Sequence, residues 1–129
     1  MRSEPAIKQN AQNPVKLVVG KTFDELVEKS KKDVVLAFVG LSNQQTNAFE
    51  LEFAKLAKHY NKRLEFAKMD MFKNDFPEWF APSSHKPTLY YVPASDKSHP
   101  IEFKEETTLD NVKKFIEANF KKFNKNEEL

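Results

Sequence analysis

Apolar residues along this chain come in runs whose period switches between that of a strand and that of a helix. Val15-Lys16-Leu17-Val18-Val19 has the composition of a strand, and Gly20 punctuates it. Thr22 followed by Glu25 three residues later reads as a capping box that opens a helix over 23–29. Residues 33–39 carry Val34-Val35-Leu36-Ala37-Phe38-Val39, an unbroken apolar run of the kind a central strand shows when both its faces are covered. Phe49, Phe53, Leu56, Ala57 and Tyr60 then recur at spacings of four, three, one and three, which is one face of an α-helix. Residues 64–69 form the next strand. The segment 70–82 is irregular, with a short helix expected near 77–80 because proline suits a first helical position. Thr88-Leu89-Tyr90-Tyr91-Val92 is a strand stopped by Pro93, and 101–103 can return beside it as a hairpin. Leu109, Val112, Ile116, Phe120 and Phe123 mark a final helix over 108–123, with Thr108 as its N-cap.

The order β-α-β-α-β-α-β-β-α predicts an α/β fold with a mixed central sheet and helices on both faces. Parallel neighbours need crossover helices, so only the terminal hairpin is expected to be antiparallel. The folded unit spans 15–123. Residues 1–14, with Pro5, Pro14 and the polar Gln9-Asn10-Ala11-Gln12-Asn13, read as a linker or arm that buries little, and 124–129 as a polar tail.

Composition narrows the chemistry. The 129 residues include no cysteine, and a domain of this size needs no disulfide or metal for stability. Thiol–disulfide exchange and sulfur-ligated metal sites are thereby excluded for this chain. Twenty-one basic residues face nineteen acidic ones, interspersed along the chain, which describes a solvated surface and no phosphate-binding stripe. No run approaches the length of a membrane span, and residues 1–14 lack the apolar stretch of a secretory signal. Nucleic acid and membrane insertion are therefore not expected partners.

Other candidate constellations reduce to ordinary surface chemistry. His59, His85 and His99 are isolated in sequence and lack ligand spacing, so no metal or other cofactor is expected. Ser83-Ser84-His85 has no nucleophile elbow around it. Glu50 and Glu52 lie near a helix start, where carboxylates meet the dipole favourably. Phe72, Phe76, Trp79 and Phe80 sit in the irregular segment before Pro87, where they either cap the core or form an apolar patch for unfolded chains.

Several strings occur in the order found in one family. Lys32-Asp33-Val34-Val35-Leu36-Ala37-Phe38, Ala67-Lys68-Met69-Asp70, Asn74-Asp75, Lys86-Pro87-Thr88-Leu89-Tyr90 and Tyr91-Val92-Pro93-Ala94 resemble the thioredoxin-like catalytic domains of protein disulfide isomerases, most closely the C-terminal one. The opening Pro14 to Phe23 resembles the first strand of that domain and Ser3-Glu4-Pro5 the linker into it. The resemblance implies a thioredoxin-like fold. It places the family's Trp-Cys-Gly-His-Cys on Ser42-Asn43-Gln44-Gln45-Thr46, so that Asn43 and Thr46 occupy the two sulfur positions. The family's buried glutamate falls on Ala37, and the arginine before the last helix is lost within Glu105-Glu106-Thr107. Pro87 matches the cis-proline that offers backbone groups to an extended substrate, although Lys86 replaces the apolar or β-branched residue usual before it.

What the resemblance implies is a redox-inactive, non-catalytic thioredoxin-like domain. It would bind unfolded or partner polypeptide, in a chaperone-like way, through Ser42, Asn43, Gln44, Gln45, Thr46, Lys86, Pro87, Trp79 and Phe80. Asn126-Glu127-Glu128-Leu129 resembles a Lys-Asp-Glu-Leu retention signal, which implies the lumen of the endoplasmic reticulum and a chain that is the C-terminal piece of a longer protein. The alternative is a structural, inert domain of a larger disulfide isomerase whose active cysteines lie upstream, with other domains of that parent as its partners.

Overall fold

The computed structural model describes residues 1–9, 12–40 and 44–129. Five strands form one sheet: β1 (Val15–Val18), β2 (Asp33–Val39), β3 (Leu64–Asp70), β4 (Thr88–Val92) and β5 (Ile101–Glu102), in the spatial order β1-β3-β2-β4-β5. Two α-helices accompany them, α1 (Gln44–Tyr60) and α2 (Leu109–Phe123).

β2 is buried along its whole length, as its unbroken apolar run requires, and its side chains alternate between two cores. Val35, Ala37 and Val39 face a core completed by Phe53 and Leu56 of α1 and by Val112, Ile116 and Phe120 of α2. Val34, Leu36 and Phe38 face a second core closed by Phe23, Val27, Met71 and Phe80. Both long helices therefore lie on one face of the sheet, and short helical turns with the 71–80 segment cover the other.

Those short turns differ from the helix expected over 23–29. Gly20–Thr22 forms one 3-10 turn and Asp24–Glu28 a wide π turn. Thr22 does not cap a following helix, because its hydroxyl oxygen accepts from the Val19 amide behind it at 3.1 Å. α2 matches its expectation closely: Thr108 has extended backbone, and its hydroxyl accepts from the Asn111 amide.

β1 and β2 run parallel to β3, while β4 is antiparallel to β2 as well as to β5. The expectation that only the terminal hairpin would be antiparallel is corrected by the register. β3 ends at Asp70 beside Val39, and β4 begins at Thr88 beside Phe38. The segment 71–87 thus leaves and re-enters the sheet at the same end, so no crossover is made. The helix expected near 77–80 is absent; a single turn, closed by the Phe80 amide on the Pro77 carbonyl at 3.2 Å, takes its place.

The N-terminal arm is tied down more firmly than its composition suggests. Asn74, fully buried, accepts from the Gly20 amide at 2.9 Å and the Glu4 amide at 2.8 Å, and donates to the Glu4 carboxylate and the Asp70 carbonyl. Arg2 meets Asp75 through its amide and side chain, and the Ser3 hydroxyl accepts from the Lys21 amide. Gly20 is needed where the arm passes, since a Cβ there would lie 2.7 Å from the Arg2 carbonyl oxygen.

Candidate functional site

Of the residues singled out for chemistry, Lys86 and Pro87 lie at the end of the sheet where β2 and β3 stop and β4 starts. Gly40 follows β2, and its φ of 139° is a conformation that a side chain strongly disfavours. A Cβ at this position would also press on the Phe72 ring and on the Asp70 carboxylate, which accepts from the Phe72 and Lys73 amides. Ser42 and Asn43 lie outside the described residues. Gln44, Gln45 and Thr46 begin α1, and their side chains also lie outside the described part. No geometry is therefore assigned to the positions of the family's two sulfurs.

Two clefts open beside Pro87. The first, of about 220 Å³, lies between α1 and the start of α2 and is walled by Phe49, Phe53, Leu56, Pro87, Leu109 and Val112. The second, of about 180 Å³, continues past the same proline toward Ser83, Thr88 and the Glu102–Glu105 stretch. Phe49, Lys86, Pro87 and Thr107 border both, so the clefts form one groove, apolar at one end and polar at the other. Leu109 is 42% exposed at the apolar end, and the Thr88 hydroxyl accepts from the Ser83 amide at 2.8 Å beside the polar end.

Lys86 and Pro87 accordingly stand where an extended chain could lie. The Lys86–Pro87 peptide is not cis, however, since none of the described residues has a cis peptide bond. This differs from what the resemblance implies. Phe80 is a second correction. It is 4% exposed and packs on Phe38, Phe23 and Tyr90, because the turn at 77–80 folds its ring inward against β2. Phe76 also packs on Phe38, with the two rings tilted. Trp79 and Phe72 stay substantially exposed, but neither borders the groove.

Sequence reasoning missed Phe49, Leu109 and Thr107 as groove residues. Phe49 and Leu109 fit the helical core faces of α1 and α2, and each is the first apolar residue of its face. That position is the signal that could have found them.

Ala37 is fully buried in the middle of β2, and Lys68 is its neighbour on β3. The Lys68 ammonium turns instead to Glu50 of α1 at 3.0 Å, in a half-buried ion pair. Elsewhere, Ser98 and Asp96 both approach Nδ1 of His99, so one ring nitrogen serves both and no proton relay runs through it. Among the described residues, no group of three or more His, Asp or Glu side chains is arranged to hold a metal, and no helix is long and apolar enough to cross a membrane. The tail residues 125–129 are exposed, with Glu127 held by Arg63 at 2.8 Å.

Compared with known proteins, residues 14–118 match the Thioredoxin family model. Over 99% of its length the chain is 37% identical to human protein disulfide-isomerase A4, and over its full length 37% identical to probable protein disulfide-isomerase A4 of Caenorhabditis elegans. It is 34% identical, over 89% of its length, to protein disulfide isomerase-like 1-5 of Oryza sativa subsp. japonica. The chain spans about a fifth of the length of these curated relatives, covering 20%, 21% and 22% of them respectively.

Proposed function

Since the chain belongs to the thioredoxin family, with relatives that are protein disulfide isomerases, and since it contains no cysteine, we propose that it is a polypeptide-holding domain that has left redox catalysis. Its work is to bind unfolded or partner polypeptide in the lumen of the endoplasmic reticulum, within a larger protein of the isomerase type. The observation that carries this reading is the groove beside Pro87, which is walled at one end by Phe49, Leu109 and Val112 and bordered at the other by hydrogen-bonding groups. An extended chain with an apolar side chain in the first cleft and its backbone along the second would fit such a surface.

The chemistry of catalysis is absent at three separate positions. Asn43 and Thr46 form no thiolate, and Ala37 carries no carboxylate to move a proton.

The test is a titration of the domain with a denatured, cysteine-free polypeptide, followed by amide NMR. Saturable shifts are expected at Phe49, at 86–88 and at 107–112. An unchanged spectrum at millimolar polypeptide would remove the holding function and leave the inert structural domain of a larger isomerase as the better account.

A further inference from the structure

The sheet ends on one side at β1, and there the backbone amides that face away from β3 are occupied by side chains. The Val15 amide donates to Asn13 Oδ1 at 3.0 Å, and the Val19 amide to Thr22 Oγ1 at 3.1 Å. Between them, at Leu17, Gln9 makes a two-way contact. The Leu17 amide donates to Gln9 Oε1 at 3.0 Å, and Gln9 Nε2 donates to the Leu17 carbonyl at 2.8 Å. A carboxamide presents a donor and an acceptor side by side, as a peptide unit does, so Gln9 imitates one residue of an incoming strand.

We propose that Gln9 is a latch over the β1 edge, and that when it is withdrawn β1 pairs antiparallel with β1 of a second copy of this chain. Open edges rich in apolar residues are templates for strand addition, and proteins commonly block them. The pattern of groups on this edge suits a copy of itself. In an antiparallel pair related by a two-fold axis, a residue opposite its own equivalent exchanges both N–H···O bonds. Leu17 offers both of its groups at this edge, and those are the groups that Gln9 now holds.

In that register Val15 faces Val19 of the copy, and since both amides stay with Asn13 and Thr22, the exchange of hydrogen bonds is confined to the Leu17 pair. With Leu17 at the axis, Lys16 faces Val18 of the copy and not a second lysine, and its charge is already met by Glu65 at 3.0 Å. Leu17, half-buried in the single chain, would gain an apolar neighbour at the axis. The latch is kept in place by the docked arm, since Arg2, Ser3 and Glu4 are anchored near Gly20 and Asn74 on one side and Asn13 leads into β1 on the other.

The experiment compares the wild-type chain with Gln9→Ala and Gln9→Glu, by sedimentation velocity from micromolar to millimolar protein and by amide exchange at Leu17. Gln9 belongs to neither core, so both variants should fold. The wild type should stay monomeric with a protected Leu17 amide. Dilute Gln9→Ala should exchange that amide about tenfold faster. At high concentration its sedimenting mass should double and the Leu17 protection return. Gln9→Glu keeps an acceptor for the amide but offers nothing to the carbonyl, and should fall between the two. The proposal is overturned if Gln9→Ala remains monomeric throughout, if Leu17 exchange does not change, or if a dimer forms without protecting Leu17. Protection restored only by added denatured polypeptide would also overturn it, by making a client strand the occupant.

Discussion

The Tyr91 hydroxyl of β4 donates a 2.5 Å hydrogen bond to the carboxylate of Asp33, the first residue of the neighbouring β2. Asp33 is 4% exposed, and its oxygens also accept from the Ala94 amide at 2.7 Å and from Asn124 Nδ2 at 2.7 Å. One carboxylate thus joins the start of β2, the end of β4 and the end of α2. Replacing Tyr91 by Phe removes a donor to a charged, buried acceptor, which typically costs about 1.5–3 kcal/mol. Urea unfolding should show that loss as a lower midpoint at unchanged slope. A midpoint equal to the wild type would mean that water replaces the phenol without cost.

Alkali should destabilise the fold through its tyrosines. All three, Tyr60, Tyr90 and Tyr91, have hydroxyls pushed above the usual value near 10, first by burial and then by the carboxylates of Glu117, Glu102 and Asp33; at Tyr90 the Ala81 amide partly offsets this. A group whose pKa is raised on folding contributes stability that is complete below its unfolded value and is lost as pH rises toward the folded one. The unfolding midpoint should therefore fall above roughly pH 10. Lys97 works in the opposite sense, because burial lowers its pKa against the pull of Asp33 and Glu28, so its deprotonation relieves a cost as pH rises. Tyr91→Phe should flatten the alkaline slope, and an unchanged slope would assign the titration elsewhere.

Asn74 is the buried anchor of the arm, beside the more exposed contacts of Arg2 and Ser3. Asn74→Ala leaves the Gly20 and Glu4 amides without their acceptor, and a buried unsatisfied donor costs about 1–3 kcal/mol. Amides of residues 2–4 should exchange faster, together with a drop in thermal midpoint. Gly20→Ala should free the same residues by a different route, since its Cβ would occupy the path of the Arg2 carbonyl. If either variant leaves the exchange of Glu4 unchanged, the arm is held by other contacts.

Leu109→Asp tests the groove without disturbing the core. Leu109 is exposed, and an acidic residue in the first turn of α2 suits the helix dipole, so stability should change by less than about 0.5 kcal/mol. Affinity for a denatured polypeptide should fall about tenfold, the equivalent of roughly 1.4 kcal/mol of lost apolar contact. Calorimetric titration giving equal affinity for both proteins would take Leu109 out of the binding surface.

The elements legible in the sequence were those whose pattern is both long and local. The seven-residue apolar run of β2 announced a strand covered on both faces, and the spacing Val112-Ile116-Phe120 behind Thr108 announced α2 with its cap. The helical turns over 20–28 were too short to show a period, and the Thr22 hydroxyl was taken by an amide behind it instead of ahead. Asn74 stands in one of the family strings, but its role as the anchor of the arm was not legible because its partners lie 54 and 70 residues away. At the site, Pro87 and Lys86 were found through family resemblance, while Phe49 and Leu109 were hidden by their membership of helical faces. Phe80 was left open between patch and core, and its inward turn depends on contacts with Phe23, Phe38 and Tyr90 that no local pattern encodes.

The groove beside Pro87 is lined by no cysteine of this chain, and this bears on how a polypeptide held there as proposed would be released. A relative with a reactive thiol can hold its substrate as a mixed disulfide until a second thiol releases it. On the proposed holding function, residence would be set by the off-rate of noncovalent contacts at Phe49, Pro87 and Leu109. Capture and release at this groove would then be blind to the balance of oxidised and reduced thiols around the molecule. They would follow the concentration of unfolded chain, so the domain would go on holding clients through changes in redox poise that idle its catalytic relatives.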